Sequence, residues 1–281
     1  LPVSLTKTNS VYFSLQFADV CLSTNVLFHG KIFPQQSALY FPKFLQQRTV
    51  YLKHAISPFH WGKVRLPDLV RLNIEKLNHL QESLPDKEKQ ITCITMNMQD
   101  ANDVKEKTIA LLHRHSIDIW VNCAGVFKNI DRFPTFRSYP QQDFLVVMNT
   151  NLKSCLLICR LIAAHMKANG GYCKVVNISS ICGYAKSYGY TGYGMSKAGL
   201  IAMTHAMAEE YKENMAIIGI APGSVATSMG ERQLGDNIAV GGNMITKHTG
   251  MPEEIATLVA FVAGDITLSG KTIIASADEI L

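Results

Sequence analysis

Tyr193 and Lys197 stand four residues apart in Tyr193-Gly-Met-Ser-Lys197, a spacing that puts both side chains on one face of a helix. An ammonium beside a phenol favours the phenolate, and so draws a hydroxyl that ordinarily titrates near pH ~10 toward neutrality. A phenol tuned in this way can give or take a proton, as hydride transfer to or from a carbonyl requires. Ser180 closes the run Val175-Val-Asn-Ile-Ser-Ser180 shortly before this pair. Its hydroxyl can bond the same carbonyl oxygen and stabilise the charge that develops there. Tyrosine and lysine meet at this spacing by chance on many helices, where the pair is merely exposed. The serine at a strand end changes the reading, because open α/β sheets hold their ligands at the ends of parallel strands.

These groups need a scaffold, and the chain from about residue 70 onward supplies one by alternating short apolar runs with amphipathic stretches. The pattern predicts strands over residues 91–96, 118–122, 174–179, 216–221 and 271–275. Between them it predicts helices over 100–115, 142–167, 191–212 and 252–263. Gly170-Gly171 suit a helix C-terminus, Pro252 a first turn, and Glu253 and Glu254 the positive end of a helix dipole. The fold expected is a Rossmann-like doubly wound parallel sheet in three α/β/α layers, with an irregular or degenerate N-terminal segment. Residues 67–281 form the Rossmann-like domain in this reading. Residues 1–66 stand apart from its rhythm, interrupted by Pro34, Pro42 and Pro58, with residues 49–53 the candidate first strand.

Composition narrows the classes further. The chain has 281 residues, of which 47% are hydrophobic and 17% charged, so a sizeable core is expected and disorder is excluded. The formal charge of +5 comes with no dense Lys/Arg cluster, which argues against nucleic acid as a partner. No window holds an uninterrupted apolar run of membrane-spanning length, so no membrane span is expected. Seven cysteines without a CxxC pair point to a reducing compartment. The cytoplasm is the expected location. The basic leader leaves the mitochondrial matrix as the alternative, since residues 1–67 contain seven Lys or Arg and only Asp19 as an acid. His113 and His115 lie on a polar helix end and read as solvated, and no cluster offers zinc ligands.

Several segments resemble, in order, those of the short-chain dehydrogenase/reductase family, over roughly residues 71–271. Val121-Asn-Cys-Ala-Gly125 resembles the family's NNAG segment, with Cys123 in place of the second Asn. Met148-Asn-Thr-Asn151-Leu resembles the segment carrying the helix asparagine. Ser180 and Tyr193-x-x-x-Lys197 match the catalytic serine and the Tyr/Lys pair. Ala221-Pro-Gly-Ser-Val-Ala-Thr227 matches the PGxxxT turn, and Pro252-Glu-Glu-Ile-Ala256 the start of a late helix. Among the branches, the 3-oxoacyl-[acyl-carrier-protein] reductases and carbonyl reductases look most similar.

The resemblance implies an NAD(P)(H)-dependent oxidoreductase with Asn151, Ser180, Tyr193 and Lys197 as the catalytic set, Asn151 holding a relay water. It implies Asn97, Asn122, Ala124, Gly125, Tyr193, Lys197, Pro222, Gly223, Val225 and Thr227 as cofactor-binding residues, and no metal. Arg71, near the end of the second strand, leans the cofactor toward NADP(H). The substrate implied is a small carbonyl or an acyl thioester, and a homo-oligomer is an open expectation. Ser179, Tyr190 and Asn149 are neighbours of the set and read as structural or pocket-lining.

One element of the family pattern has no counterpart in the sequence. There is no TGxxxGxG turn to seat a pyrophosphate, and the nearest segment, residues 55–63, keeps only Gly62. The family's acidic residue near the adenine is matched by Asn97, and the C-terminal residues 275–281 replace a VDGG ending. The alternative to an active enzyme is therefore a catalytically impaired relative that keeps the fold for binding or assembly. A third reading gives residues 1–66 a different origin from the rest.

Overall fold

The computed structural model describes residues 9–14, 24–30, 68–71, 92–128, 136–184, 190–227, 229, 249–264 and 267–276. They form one sheet of eight strands. The strands are β1 (Asn9–Ser14), β2 (Thr24–Gly30), β3 (Asp68–Arg71), β4 (Thr92–Ile94), β5 (Ile119–Asn122), β6 (Cys173–Ile178), β7 (Met215–Pro222) and β8 (Thr272–Ala275). Their spatial order is β4-β3-β2-β1-β5-β6-β7-β8. Neighbours from β1 through β8 on the β5 side are parallel, as are β3 and β4. Only β2 runs the other way, antiparallel to both β1 and β3.

The chain order reverses direction across the sheet at the β1/β5 boundary, which is where such a sheet opens a crevice at its strand ends. Every residue of β5 and of β7 is buried, as expected for strands covered on both faces. Alternation then sorts the side chains. Trp120, Val175 and Ile217 face one core, with Leu111, Ile158, Ile162 and Leu200 from the helices. Ile119, Val121, Val176, Ile178, Ile218 and Ile220 face the other, with Ile255, Val259 and Val262. The expected three-layer α/β/α sheet is thus present, with one antiparallel strand within it.

The helices of the first layer are α1 (Ala101–Arg114), α2 (Gln141–Met148), α3 (Ser154–Asn169) and α4 (Thr191–Glu210), and α5 (Pro252–Gly264) covers the second face. Asp100 caps α1 by accepting from the Asn102 and Asp103 amides, and Gly170 ends α3 at φ 64°, as its position predicts. On the sheet's second face, Lys174 reaches from β6 to the last turn of α5 and donates to the Ala263 carbonyl at 3.0 Å.

Three expectations change. The long helix over 142–167 is not uniform, because a π-helical turn, Asn149–Lys153, joins α2 to α3. An inserted residue of this kind widens the backbone ladder and often sits at a functional site. The same stretch, Gln141–Asn169, is 29 residues long and apolar enough to cross a membrane by length and composition. Its Ile158, Cys159 and Ile162 lie in the first core, so it packs here as a core helix. Finally, residues 1–66 contribute β1 and β2 to the middle of the sheet. The candidate strand 49–53, the segments 55–63 and 73–77, and nearly all of the loop 228–249 lie outside the described residues.

Candidate functional site

The ends of β5, β6 and β7 and the start of α4 bring the expected groups together. Ser180 is the first residue beyond the β6–Ser179 run and caps the short 3-10 turn Ile181–Gly183, its Oγ accepting from the Cys182 amide at 3.2 Å. Tyr193 and Lys197 occupy one face of α4 and are almost wholly buried, at 8% and 3% exposure. Ser180 is near enough to Tyr193 to favour its phenolate. The Lys197 ammonium lies 5.6 Å from the centroid of the Tyr193 ring and donates to the Ile178 carbonyl at 2.8 Å.

Burial reverses the electrostatics expected from the spacing. It pushes the Tyr193 phenol well above the ordinary tyrosine range, with Cys182 adding to the rise and the Ser180 hydrogen bond opposing it. The ammonium lies over the ring, and burial outweighs any pull it exerts toward the phenolate. Burial also holds Lys197 below the usual lysine range, against smaller opposing effects of Cys155, Cys123 and Cys182. Both groups are less charged here than in water, for the same reason.

Asn151, in the π-helical turn, is fully buried. Its Oδ1 accepts from the Val126 amide at 2.7 Å, and its Nδ2 donates to the Val126 carbonyl at 2.9 Å and to Ser196 Oγ at 3.0 Å. Both N–H donors of the amide are therefore used inside the protein. The side chain is a clamp between the segment after β5 and helix α4.

The Asn122 side chain is likewise engaged within the protein. Its Oδ1 accepts from the Trp120 indole at 2.8 Å and its Nδ2 donates to Asn177 Oδ1 at 2.9 Å. Asn177 in turn donates to Thr204 Oγ1 at 2.9 Å. The side chain is committed to a buried network joining β5, β6 and α4, so contact with a ligand falls to its backbone. Asn97 lies in the turn between β4 and α1. Its Oδ1 accepts from the Gln99 amide at 3.0 Å, and its own amide donates to Asp103 at 2.6 Å. Four strand steps at about 4.8 Å each separate β4 from β5, so Asn97 is not part of the Ser180 cluster.

Ala124 and Gly125 follow β5, and a side chain at Gly125 would stand 3.4 Å from Lys197 Nζ. Pro222 ends β7, and the Gly223 amide donates to Ala275. Val225 pairs with Gly250, and Thr227 Oγ1 donates to the Val225 carbonyl at 3.3 Å. Ser179, read as structural, donates to the Lys197 carbonyl at 2.9 Å. Other participants escaped the sequence reading: Ser196 donates to the carbonyl of Tyr193 at 2.7 Å. Asn177 and Thr204 had no signal beyond being polar in apolar runs. His113 pairs with His165, ring centroids 5.9 Å apart, on the outer face of α1 and α3. Cys123, Cys155, Cys159, Cys173 and Cys182 are free thiols.

A three-layer α/β sheet with a buried serine, tyrosine and lysine at its strand ends defines a class of proteins built to handle a proton beside a bound ligand. Comparison with known proteins makes that class specific. Residues 68–237 match the sequence profile described as short chain dehydrogenase. The 3-oxoacyl-[acyl-carrier-protein] reductase of Thermotoga maritima is 30% identical over 204 residues, covering 70% of this chain and 78% of that protein. The acetoacetyl-CoA reductase of Allochromatium vinosum is 35% identical over 154 residues, covering 53% of this chain and 59% of the relative. A 7α-hydroxysteroid dehydrogenase solved with NADH and 7-oxo glycochenodeoxycholic acid superposes with a TM-score of 0.67 at 22% identity, over 75% of this chain and 83% of its own. The chain belongs to the short chain dehydrogenase family of oxidoreductases.

The family implies a nicotinamide cofactor, and Lys197 tests the fit. Among the described residues its buried ammonium has one hydrogen-bond acceptor, Ile178 O, for three N–H donors. An amine in that state needs further acceptors, and the hydroxyls of a ribose would supply them. The end of the sheet at β5–β7 fits the nicotinamide half of such a cofactor.

Proposed function

We propose that this chain interconverts a carbonyl and an alcohol with a nicotinamide dinucleotide, acting on a 3-oxoacyl thioester or a small generic ketone. The observation that carries this reading is the convergence of buried Ser180, Tyr193 and Lys197 at the strand ends, with the Lys197 ammonium under-coordinated. In the direction of reduction, Tyr193 gives its phenolic proton to the carbonyl oxygen. Ser180 donates a hydrogen bond to the same oxygen as negative charge builds on it. A reduced nicotinamide, when bound, would supply the hydride for the carbonyl carbon. Lys197 would hold ribose hydroxyls through its two remaining donors, and its charge would favour the phenolate left behind. Asn151 keeps the β5 loop and α4 in register, and the backbone from Asn122 to Gly125 and from Pro222 to Thr227 lines the cofactor's reactive end.

The substrate class follows the two curated relatives, whose names describe 3-oxoacyl-carrier-protein and acetoacetyl-CoA reduction. Arg71 is the last residue of β3, and an arginine at this place in the sequence favours NADP(H) over NAD(H) because a guanidinium pairs well with a phosphate. The cytoplasm is the proposed compartment and the mitochondrial matrix the alternative, separable by fractionation of the tagged protein.

A second reading rests on β2. In a doubly wound sheet a helix follows the first strand and meets the pyrophosphate, whereas here the next described element after β1 is an antiparallel strand. A chain so built would keep the family fold for binding or assembly. Fluorescence titration with NADPH and NADH, followed by an assay on a β-ketoester, separates the two. Micromolar binding with turnover that falls about 10²-fold or more in Tyr193→Phe supports the enzyme. No binding at millimolar cofactor leaves the second reading standing.

A further inference from the structure

Phe127 lies two residues beyond Gly125 and has no part in the chemistry above. Its ring stacks on Tyr190, centroids 4.9 Å apart and planes 20° from parallel. The same ring meets Tyr193 edge-on at 5.2 Å and 68°, a favoured aromatic geometry. The backbone just before it is held at both polar groups by Asn151, through the Val126 amide and carbonyl. Asn151 also reaches Ser196, which bonds the carbonyl of Tyr193 itself. One buried amide thus fixes Phe127 and Tyr193 relative to each other from two sides. The π-helical turn is the local structure that carries this amide to the place where both contacts can be made.

We infer that Phe127 is a positioning residue for Tyr193, packing against the phenol so that it stays dry and directed at Ser180, with Asn151 as the clamp that aims it. The inference deepens the proposed reaction and rests on that reading for its kinetic consequences. Its physical content is independent of any substrate. Removing the ring opens one wall of the phenol's surroundings to water. The remaining neighbours are Ser180 and Cys182 on the turn after β6, Cys123 on the β5 end, Tyr190, and Lys197 on the same helix. Of these only Tyr190 also touches Phe127, so an altered titration of Tyr193 reports the loss of the aromatic wall that the two rings form.

The test uses the full chain labelled biosynthetically with 3-fluorotyrosine, whose more acidic phenol titrates while the protein is still folded. Tyr193 is assigned among the ten tyrosines by its loss in Tyr193→Phe, and its fluorine resonance is followed against pH. Phe127→Ala is expected to lower the Tyr193 midpoint by about 1 pH unit, with Phe127→Leu, which keeps most of the apolar volume, restoring most of the shift. On a β-ketoester, Phe127→Ala should lower kcat about 10-fold with KM changed less than about 3-fold. A Tyr193 midpoint that is the same in wild type and in folded Phe127→Ala overturns the proposal. If the alanine variant does not fold, the same null result in Phe127→Leu and Phe127→Val overturns it. A shifted midpoint in a protein that binds no cofactor would leave Phe127's role intact and remove the proposed reaction instead.

Discussion

Tyr193 shows how far residue types and spacing carry an argument. The four-residue interval correctly places it beside Lys197, and Ser180 arrives where a strand end should deliver it. The interval says nothing of depth, and depth decides the protonation state. Because burial raises the Tyr193 phenol, it holds its proton throughout neutral pH and serves best as an acid. Ketone reduction should therefore be nearly flat from about pH 6 to 9, while alcohol oxidation, which needs the phenolate, climbs across that range. A reduction rate that halves near pH ~7.5 would instead mean a phenol tuned down as the spacing alone suggests. Gly194 bears on the same geometry. A Cβ there would lie 2.9 Å from the carbonyl oxygen of Cys182, so the turn after Ser180 can approach α4 only because no side chain intervenes. Gly194→Ala gains about 1 kcal/mol of helix propensity but must push the turn away. The expected outcome is a small change in Tm, readable by calorimetry, with activity down about 10-fold as Ser180 moves from Tyr193. Unchanged kcat in a folded variant would show that the close approach is dispensable.

At the scale of elements, the strands and helices between residues 92 and 276 were legible because each is an apolar run bounded by a recognisable start or stop. Asp100, Gly170 and Pro252 mark such points, and the boundaries fall within a few residues of expectation. The π-helical turn was not legible: Asn149-Thr-Asn-Leu-Lys153 has the composition of ordinary helix, and the inserted residue appears only in the hydrogen-bond ladder. Nor could Asn122 be distinguished as an interior group, since its partner Asn177 is 55 residues away in sequence. That network, from Trp120 through Asn122 and Asn177 to Thr204 and the Leu200 carbonyl, sews β5, β6 and α4 together where apolar contacts alone would leave the register free. Thr204→Val keeps the volume and removes the acceptor for Asn177, leaving a buried N–H without a partner. The cost expected is about 1–3 kcal/mol, seen as a lower midpoint in urea with the slope unchanged. A midpoint equal to wild type would mean that Asn177 finds another acceptor and the network is not cooperative.

The whole molecule depends on how the N-terminal strands join the rest, and here sequence reasoning and structure part company most. Residues 1–66 looked separable because their prolines and scattered aromatics show no βαβ rhythm. The sheet nevertheless runs through them. β1 is hydrogen-bonded on both sides, antiparallel to β2 from Asn9↔Gly30 to Ser14↔Asn25 and parallel to β5 from Val11↔Ile119 to Phe13↔Val121. A βαβ search misses this arrangement, because β2 returns beside β1 as a hairpin partner and then passes the sheet on to β3. Without β1 and β2, the β3–β4 pair has no neighbour connecting it to β5, and one edge of β5 loses its ladder. Deleting residues 1–30 should consequently remove cooperative unfolding from the β3–β4 half and lower the Tm of the remainder by more than 10 °C, on the order of several kcal/mol. A milder lesion makes the same point. Tyr12 faces Leu27 on one side and Trp120 on the other, and a proline there cannot continue a ladder flanked on both edges. Tyr12→Pro should cost about 3 kcal/mol or more, measured by thermal or urea unfolding. A truncated chain that melts like the full one would place β5 at the edge of a smaller sheet and make the leader dispensable to the fold.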